Sequence, residues 1–95
     1  MYVCVTYDIG SNRLRLRVSR HCRRIGLLRM QRSVFIGRLR RGENAELETE
    51  TRAALAPTDR FAVIQMDQPG YQNLLRQNDD PSLLPLQQRF TNWYF

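Results

Sequence analysis

Residues 2–8 read Tyr2-Val3-Cys4-Val5-Thr6-Tyr7-Asp8, and the alternation in this stretch indicates how the chain folds. Its β-branched and aromatic residues favour a strand. Successive side chains of a strand point to opposite faces, so Val3, Val5 and Tyr7 share one face. The other face carries Tyr2, Cys4, Thr6 and Asp8. We expect the all-apolar face to pack on helices, which places Asp8 on the face without helices.

The remaining elements follow from the hydrophobic periodicity, which switches between helical and extended patterns. They are a helix at residues 13–25, an extended stretch at 29–36, a further extended segment at 38–40, a helix at 43–55 and a central strand at 61–66. The turn Gly10-Ser11-Asn12 supplies an N-cap candidate, and Gly26 ends the first helix. The order predicts an α+β, ferredoxin-like βαββαβ sandwich with both helices on one face of an antiparallel sheet.

The bare sheet face must be covered by something, and the residues alone do not say by what. A chain of 95 residues buries little surface alone, so oligomerisation would help it. Residues 1–67 form the predicted core. Residues 68–95 form a predicted C-terminal strand or tail that packs on the partner subunit or on a companion protein.

The extended stretch at residues 29–36 alternates in the same way. Met30, Val34 and Ile36 suit the core better than their neighbours do, so they are predicted to face the helices. The free sheet face would then gain Arg29, Gln31, Ser33 and Phe35. A carboxylate, an arginine, a hydroxyl and an aromatic ring would share one surface.

Asp8 is the candidate metal ligand on that surface. If a twofold axis brings two Asp8 carboxylates together, Mg²⁺ or Mn²⁺ would relieve their repulsion, because these cations prefer oxygen ligands. The alternative is an aspartate that caps the turn after the strand. Asp59, Asp67, Asp79 and Asp80 are interpreted as turn residues, and His21 lacks a partner at metal or triad spacing.

Arginine dominates the charge of the chain. The net charge is +6, and all fifteen cationic side chains are arginines. Four of them align on one face of the first helix: Arg13, Arg17, Arg20 and Arg24. Aligned like charges repel one another, so this arginine stripe predicts binding to a phosphate backbone rather than a merely solvated face.

Cysteine usage and hydropathy indicate the compartment. Cys4 and Cys22 fit neither a disulfide framework nor a metal motif, and we interpret both as small buried hydrophobic residues in a reducing cytosol. No apolar run approaches the ~20 residues that a membrane helix needs, and no signal peptide is recognisable. The sequence therefore predicts a cytoplasmic protein without membrane contact.

Several short motifs resemble the CRISPR-associated protein two family. They are Tyr7-Asp8-Ile9, Arg15-x-Arg17-Val18, Gly26-Leu27 and Gln31-x-Ser33-Val34-Phe35-x-Gly37. The resemblance covers residues 1 to about 67 and implies a homodimer joined through its sheets, with the two Asp8 carboxylates bracketing a divalent metal. The positions it implies as lining the site or contacting nucleic acid are Tyr7, Arg15, Arg17, Arg29, Ser33 and Phe35.

The activity that the resemblance implies is metal-dependent endonucleolytic cleavage of single-stranded RNA or double-stranded DNA. It also implies a non-catalytic role as the bridge of the spacer-acquisition complex, beside a companion CRISPR integrase. Two alternatives stay open at this point. One is a purely structural DNA-binding dimer, and the other is a toxin-type ribonuclease of the same fold.

Overall fold

The computed structural model describes residues 1–77, which form one antiparallel sheet and three helices. The elements are β1 (Tyr2–Asp8), α1 (Asn12–Arg24), β2 (Leu28–Gln31), β3 (Val34–Arg38), α2 (Glu43–Ala54), β4 (Arg60–Met66) and α3 (Gln68–Gln77). The strand order is β2-β3-β1-β4. The predicted βαββαβ, ferredoxin-like fold is confirmed.

The core lies between the sheet and helices α1 and α2. Val3, Val5 and Tyr7 of β1 are buried in one cluster with residues of both helices, as the alternation of β1 predicts. The inward residues of the helices are Leu14, Val18, Cys22 and Leu47. Asp8 is exposed and, by the same alternation, belongs to the face without α1 and α2.

Helix α1 was predicted at residues 13–25 and spans Asn12–Arg24, one residue earlier at each end. The Ser11 side chain accepts a hydrogen bond from the backbone N–H of Leu14 at 3.2 Å, which satisfies one free donor of the first turn. Gly26 follows the helix with φ of 92°, a left-handed conformation that glycine adopts at little cost. These two capping interactions set the boundaries of α1, the helix that carries the arginine stripe.

The prediction of a single extended stretch at residues 29–36 is wrong. A tight turn at residues 32–33 splits it into β2 and β3, and a register shift falls between Arg29 and Gln31. Phe35 pairs with Val5 and is fully buried on the helix side of the sheet. Val34 and Ile36 therefore face the opposite way, because their β1 partners belong to the face that carries Asp8.

Strand β4 was predicted to be central, and this too is wrong. It pairs only with β1 among the described strands and forms an edge of the sheet. Its apolar run is explained by two faces with different surroundings. Phe61 packs in the core, whereas Ile64, on the other face, is 49% exposed.

The segment after the core begins with helix α3 rather than with the predicted strand or tail. Asp67 caps this helix, because its Oδ1 accepts a hydrogen bond from the backbone N–H of Gly70 at 2.8 Å. The ring of Tyr71 lies 4.7 Å from that of Tyr2, which places α3 at the Tyr2 end of the free sheet face. The rest of the predicted tail, residues 78–95, lies outside the described residues.

The two cysteines are free thiols, as predicted. Cys22 is fully buried, and burial raises the pKa of its thiol to about 12. Cys4 is half-buried and belongs to the opposite face of the sheet, so the two thiols do not meet. Within residues 1–77, no helix has the length and apolar character needed to cross a membrane.

Candidate metal and nucleic-acid site

Asp8 ends β1 with an exposed carboxylate. The loop behind it is anchored to the loop before β4. Oδ1 of Asp59 accepts a hydrogen bond from the Gly10 backbone N–H at 3.0 Å, and Oδ2 accepts one from Ala56 at 2.8 Å. These two bonds hold the pKa of Asp59 below its ordinary value. Asp59 is thus a turn residue, as predicted, and its contacts fix the backbone next to Asp8.

The described part of a single chain supplies too few ligands to hold a metal ion. The described residues contain no group of three histidine, cysteine, aspartate or glutamate side chains that could hold one. Asp8 supplies a hard oxygen ligand in an accessible position, which suits Mg²⁺ or Mn²⁺ in kind. One carboxylate does not make a site, so these residues fit a divalent cation only if a second copy contributes its own Asp8.

The arginine stripe of α1 is exposed along its whole length, as the helical spacing predicts. A cavity of about 190 Å³ lies between the stripe and α2, lined by Arg17, Arg20 and Arg24 on one side and by Glu50 on the other. His21 is buried beneath it, with Nδ1 3.4 Å from Oε2 of Glu50. The stripe therefore presents a cationic surface whose inner rim is partly neutralised by α2.

A second set of arginines lies on the other flank of α1, where the helix meets β1 and the β2–β3 turn. It surrounds a cavity of about 310 Å³, and its lining residues are Tyr7, Asn12, Arg15, Leu16, Ser19, Arg23, Arg29 and Arg32. Nη1 of Arg15 donates to the carbonyl oxygen of Ile9 at 2.9 Å, and Nη2 of Arg29 donates to that of Arg32 at 2.8 Å. We call this the four-arginine cavity.

Tyr7 forms the floor of the four-arginine cavity. Burial raises the pKa of its hydroxyl, although the guanidinium groups of Arg29, Arg23 and Arg15 act in the opposite direction. The hydroxyl is therefore protonated near neutral pH and available as a donor. The Tyr7 ring is stacked with that of Phe35, with centroids 6.5 Å apart.

The structure divides the site residues predicted for one surface between two faces. Arg29 pairs with Phe35 across β2 and β3, and its guanidinium carbon lies 5.7 Å from the Phe35 ring centroid, on the helix side. Neither residue shares the face of Asp8, contrary to the prediction. Ser33 lies in the turn, where its carbonyl oxygen accepts a hydrogen bond from the Tyr7 backbone N–H at 3.2 Å. Arg29 and Phe35 do share one face, as predicted, but it is the helix side, because Phe35 rather than Val34 and Ile36 packs on the helices.

Sequence reasoning missed two of the four arginines that line the four-arginine cavity. Arg23 follows Arg15 by two helical turns, so its position was readable from the same spacing that revealed the stripe. Arg32 was not readable, because it reaches the cavity from the turn between β2 and β3. Tyr7, Arg15 and Arg29, which the resemblance implied as site-lining positions, lie together in this cavity.

Comparison with known proteins gives one consistent result. The family model described as CRISPR associated protein Cas2 matches residues 1–74. A curated relative from Korarchaeum cryptofilum, named CRISPR-associated endoribonuclease Cas2, is 40% identical over 62 residues, which cover 64% of this chain and 67% of the relative. A CRISPR-associated endonuclease Cas1/endonuclease Cas2 fusion from Thermoproteus tenax is 40% identical over 68 residues, 70% of this chain and 26% of the fusion.

A solved structure agrees with the sequence relatives. The crystal structure of Streptococcus pyogenes Cas2 at pH 6.5 superposes with a TM-score of 0.61 at 28% sequence identity. The match covers 81% of this chain and 94% of the streptococcal chain. The similarity therefore extends over nearly the whole of that protein.

Proposed function

The chain belongs to the CRISPR-associated Cas2 family, and from this membership we propose that it is a metal-dependent endonuclease of prokaryotic antiviral defence. It hydrolyses phosphodiester bonds in single-stranded RNA or double-stranded DNA. The observation that carries the proposal is the position of Asp8, an exposed carboxylate at a strand end in a chain whose neighbouring helix is studded with arginines. The names of its relatives, endoribonuclease and endonuclease, support the same reaction.

The acting form in this proposal is a homodimer. Helix α3 covers the Tyr2 end of the free sheet face, and Asp8 lies six residues further along β1, roughly 20 Å away at the rise of a strand. The Asp8 end carries the exposed side chains of Asp8 and Arg60, and Ile64, opposite Cys4 on the same face, offers apolar surface to a second copy. Two Asp8 carboxylates facing each other would hold Mg²⁺ or Mn²⁺.

Asp8 and the arginines of α1 have different roles in the proposed hydrolysis. When bound, the divalent cation supplies positive charge that offsets the charge developing on the attacked phosphoryl group. Asp8 would hold that cation, and the exposed arginines of α1 would bind phosphates of the strand and fix it. Hydrolysis joins the oxygen of water to phosphorus, the phosphorus–oxygen bond to the next nucleotide breaks, and the leaving oxygen takes up a proton.

We also place the protein in a cytoplasmic complex with a companion integrase. The Thermoproteus tenax relative joins a Cas1 endonuclease and a Cas2 endonuclease in one chain, which favours physical association of the two types of subunit. In that complex the dimer would bridge integrase subunits and bind duplex DNA along the arginine stripe during spacer acquisition. Family membership favours this setting over a toxin-type ribonuclease.

In the rival proposal, the protein is the same DNA-binding dimer but does not catalyse hydrolysis. The exposed arginine stripe favours this version as much as it favours the enzyme, because phosphate contacts alone require only cations. The two proposals differ at Asp8, which is needed for hydrolysis but not for binding along the arginines.

A nuclease assay decides between them. Wild type and Asp8→Ala are incubated with single-stranded RNA and with duplex DNA, each with Mg²⁺ and with a chelator. The enzyme proposal expects Mg²⁺-dependent products from the wild type alone, with unchanged duplex binding and unchanged mass in solution for Asp8→Ala. Equal cleavage by a rigorously purified Asp8→Ala sample would reject the assignment of Asp8. No cleavage by either protein, with binding intact, would favour the rival.

A further inference from the structure

The four-arginine cavity is distinct from the surface that carries Asp8. Tyr7 and Asp8 are consecutive residues of β1, so their side chains point to opposite faces of the sheet. The cavity lies on the Tyr7 side, between α1 and the β2–β3 hairpin, whereas Asp8 opens onto the other side. A ligand in this cavity is therefore not bound at the metal position.

The lining of the cavity selects for an anion of high charge. Arg15, Arg23, Arg29 and Arg32 contribute four guanidinium groups, and none of the described lining residues carries a carboxylate. Two of these guanidinium groups also donate to backbone carbonyl oxygens, which sets their orientation without cancelling their charge. Four gathered cations repel one another, and a dianion offsets that repulsion better than a monoanion does.

Neutral donors complete the lining. Tyr7 and Ser19 are each 6% exposed, and both bring hydroxyl groups to the cavity. Leu16, 48% exposed, stands at the same cavity and offers apolar contact beside the charges. The combination of guanidinium forks, hydroxyl donors and one apolar side chain suits a phosphate attached to a sugar and a base.

We propose that the four-arginine cavity binds the terminal phosphate of a nucleic-acid strand. A phosphate monoester carries close to two negative charges at neutral pH and exposes three oxygens to hydrogen-bond donors. An internal phosphodiester carries one charge and therefore offsets the repulsion among four guanidinium groups less well. The inference rests on the proposed function only in taking nucleic acid as the ligand.

The test compares strand ends by fluorescence anisotropy with the full chain. Single-stranded oligonucleotides of one sequence carry a 5′-phosphate, a 3′-phosphate or hydroxyl groups at both ends, and a chelator prevents cleavage. We expect at least one phosphorylated end to bind roughly tenfold more tightly than the hydroxyl form, as expected for hydrogen bonds to a charged group. Equal affinity of all three oligonucleotides for the wild type would overturn the proposal.

Two matched double variants test whether a preference for phosphorylated ends comes from the four-arginine cavity. Arg23→Gln with Arg32→Gln removes two exposed cavity cations and leaves Arg15 and Arg29 with their backbone contacts. Arg20→Gln with Arg24→Gln removes the same charge from the stripe. We expect the first pair to abolish the preference, and the second to weaken all three oligonucleotides alike and keep it. A preference that survives the first pair, or is lost equally in both, contradicts the proposal.

Competition identifies the source of the phosphate. Inorganic phosphate carries the same charge without the sugar and base, so we expect it to displace the phosphorylated oligonucleotide only at far higher concentration. Displacement at equal concentration would assign the cavity to free phosphate and would overturn the strand-end assignment. Because no step requires Asp8 or a metal, a negative result here and a negative result in the nuclease assay are separate.

Discussion

Asp8 and Arg60 stand directly opposite each other where the β1–β4 pair ends. Opposed residues of an antiparallel pair share one face, with Cβ atoms roughly 5 Å apart, so the guanidinium of Arg60 is a neighbour of the proposed metal ligand. Both side chains are exposed. The charge of Arg60 attracts the Asp8 carboxylate and repels a divalent cation that approaches it.

Replacing Arg60 by glutamine should therefore ease metal binding. The unit charge of Arg60 and a divalent cation at Asp8 repel each other by an amount that water and salt keep on the order of 1 kcal/mol. We expect the Mg²⁺ concentration for half-maximal cleavage to fall roughly fivefold in Arg60→Gln. Titration of the nuclease activity with Mg²⁺ measures it. Arg41→Gln, an exposed arginine that follows β3, is the control and should leave the midpoint unchanged.

Phe35 contributes to stability rather than to a sheet surface. Its side chain is fully buried and belongs to the same cluster as Val5 and Tyr7. Phe35→Ala should lower the free energy of unfolding by about 3–5 kcal/mol, as other large core truncations do. Urea unfolding measures this loss. Leu16→Ala, at a half-exposed position, should change it by no more than about 0.5 kcal/mol. A small effect at Phe35 would contradict its placement in the core.

Gly37 is required because β3 passes close to Leu27. A Cβ at position 37 would lie 2.7 Å from Cδ2 of Leu27 and 3.3 Å from its Cα. Gly37→Ala should therefore destabilise the fold by roughly 1–3 kcal/mol. Gly10→Ala is the matched control, since the nearest atom to its Cβ would be Oδ1 of Asp59 at 3.8 Å. Thermal unfolding of the two variants should separate them clearly, and equal melting temperatures would refute the close approach.

Asp59 makes the free energy of unfolding depend on pH in the acid range. Its pKa is lowered in the folded state by the N–H groups of Gly10 and Ala56, so its contribution is complete above the ordinary value of 3.8 and is lost as the pH falls through the folded value. We expect the unfolding free energy of the wild type to decline below about pH 4 more steeply than that of Asp59→Asn. Parallel urea titrations across this range measure the difference. Identical slopes would show that these hydrogen bonds do not stabilise the folded state.

The sequence predicted the first half of the fold best, because its signals there are local. Alternation assigned Val3, Val5 and Tyr7 to the core, and helical spacing did the same for Leu14 and Val18. Both depend on geometry within one element, and so do the capping residues of α1. The arginine stripe was readable for the same reason.

The errors arose at positions where the conformation depends on tertiary structure and no local sequence signal indicates it. The turn at Arg32 and Ser33 lacks the glycine, asparagine or aspartate that usually marks a two-residue hairpin, so a single alternation was continued through it. Arg29 and Phe35 were assigned to the wrong face for another reason: both faces of β3 are apolar, and Val34 and Ile36 were taken as the helix side in place of Phe35. This inverted assignment concealed the four-arginine cavity. The edge position of β4 could not be predicted either. A central strand and an edge strand that packs against a partner can have the same apolar sequence.

The most direct test of the account is the activity of mixed dimers. Wild type and Asp8→Ala are combined in known ratios, unfolded and refolded together, and assayed for Mg²⁺-dependent cleavage. If one metal needs an Asp8 from each copy, activity follows the square of the wild-type fraction, and an equal mixture retains about a quarter of the wild-type rate. A linear decline, with half of the rate kept in the equal mixture, would show that each chain acts alone and would contradict the shared site.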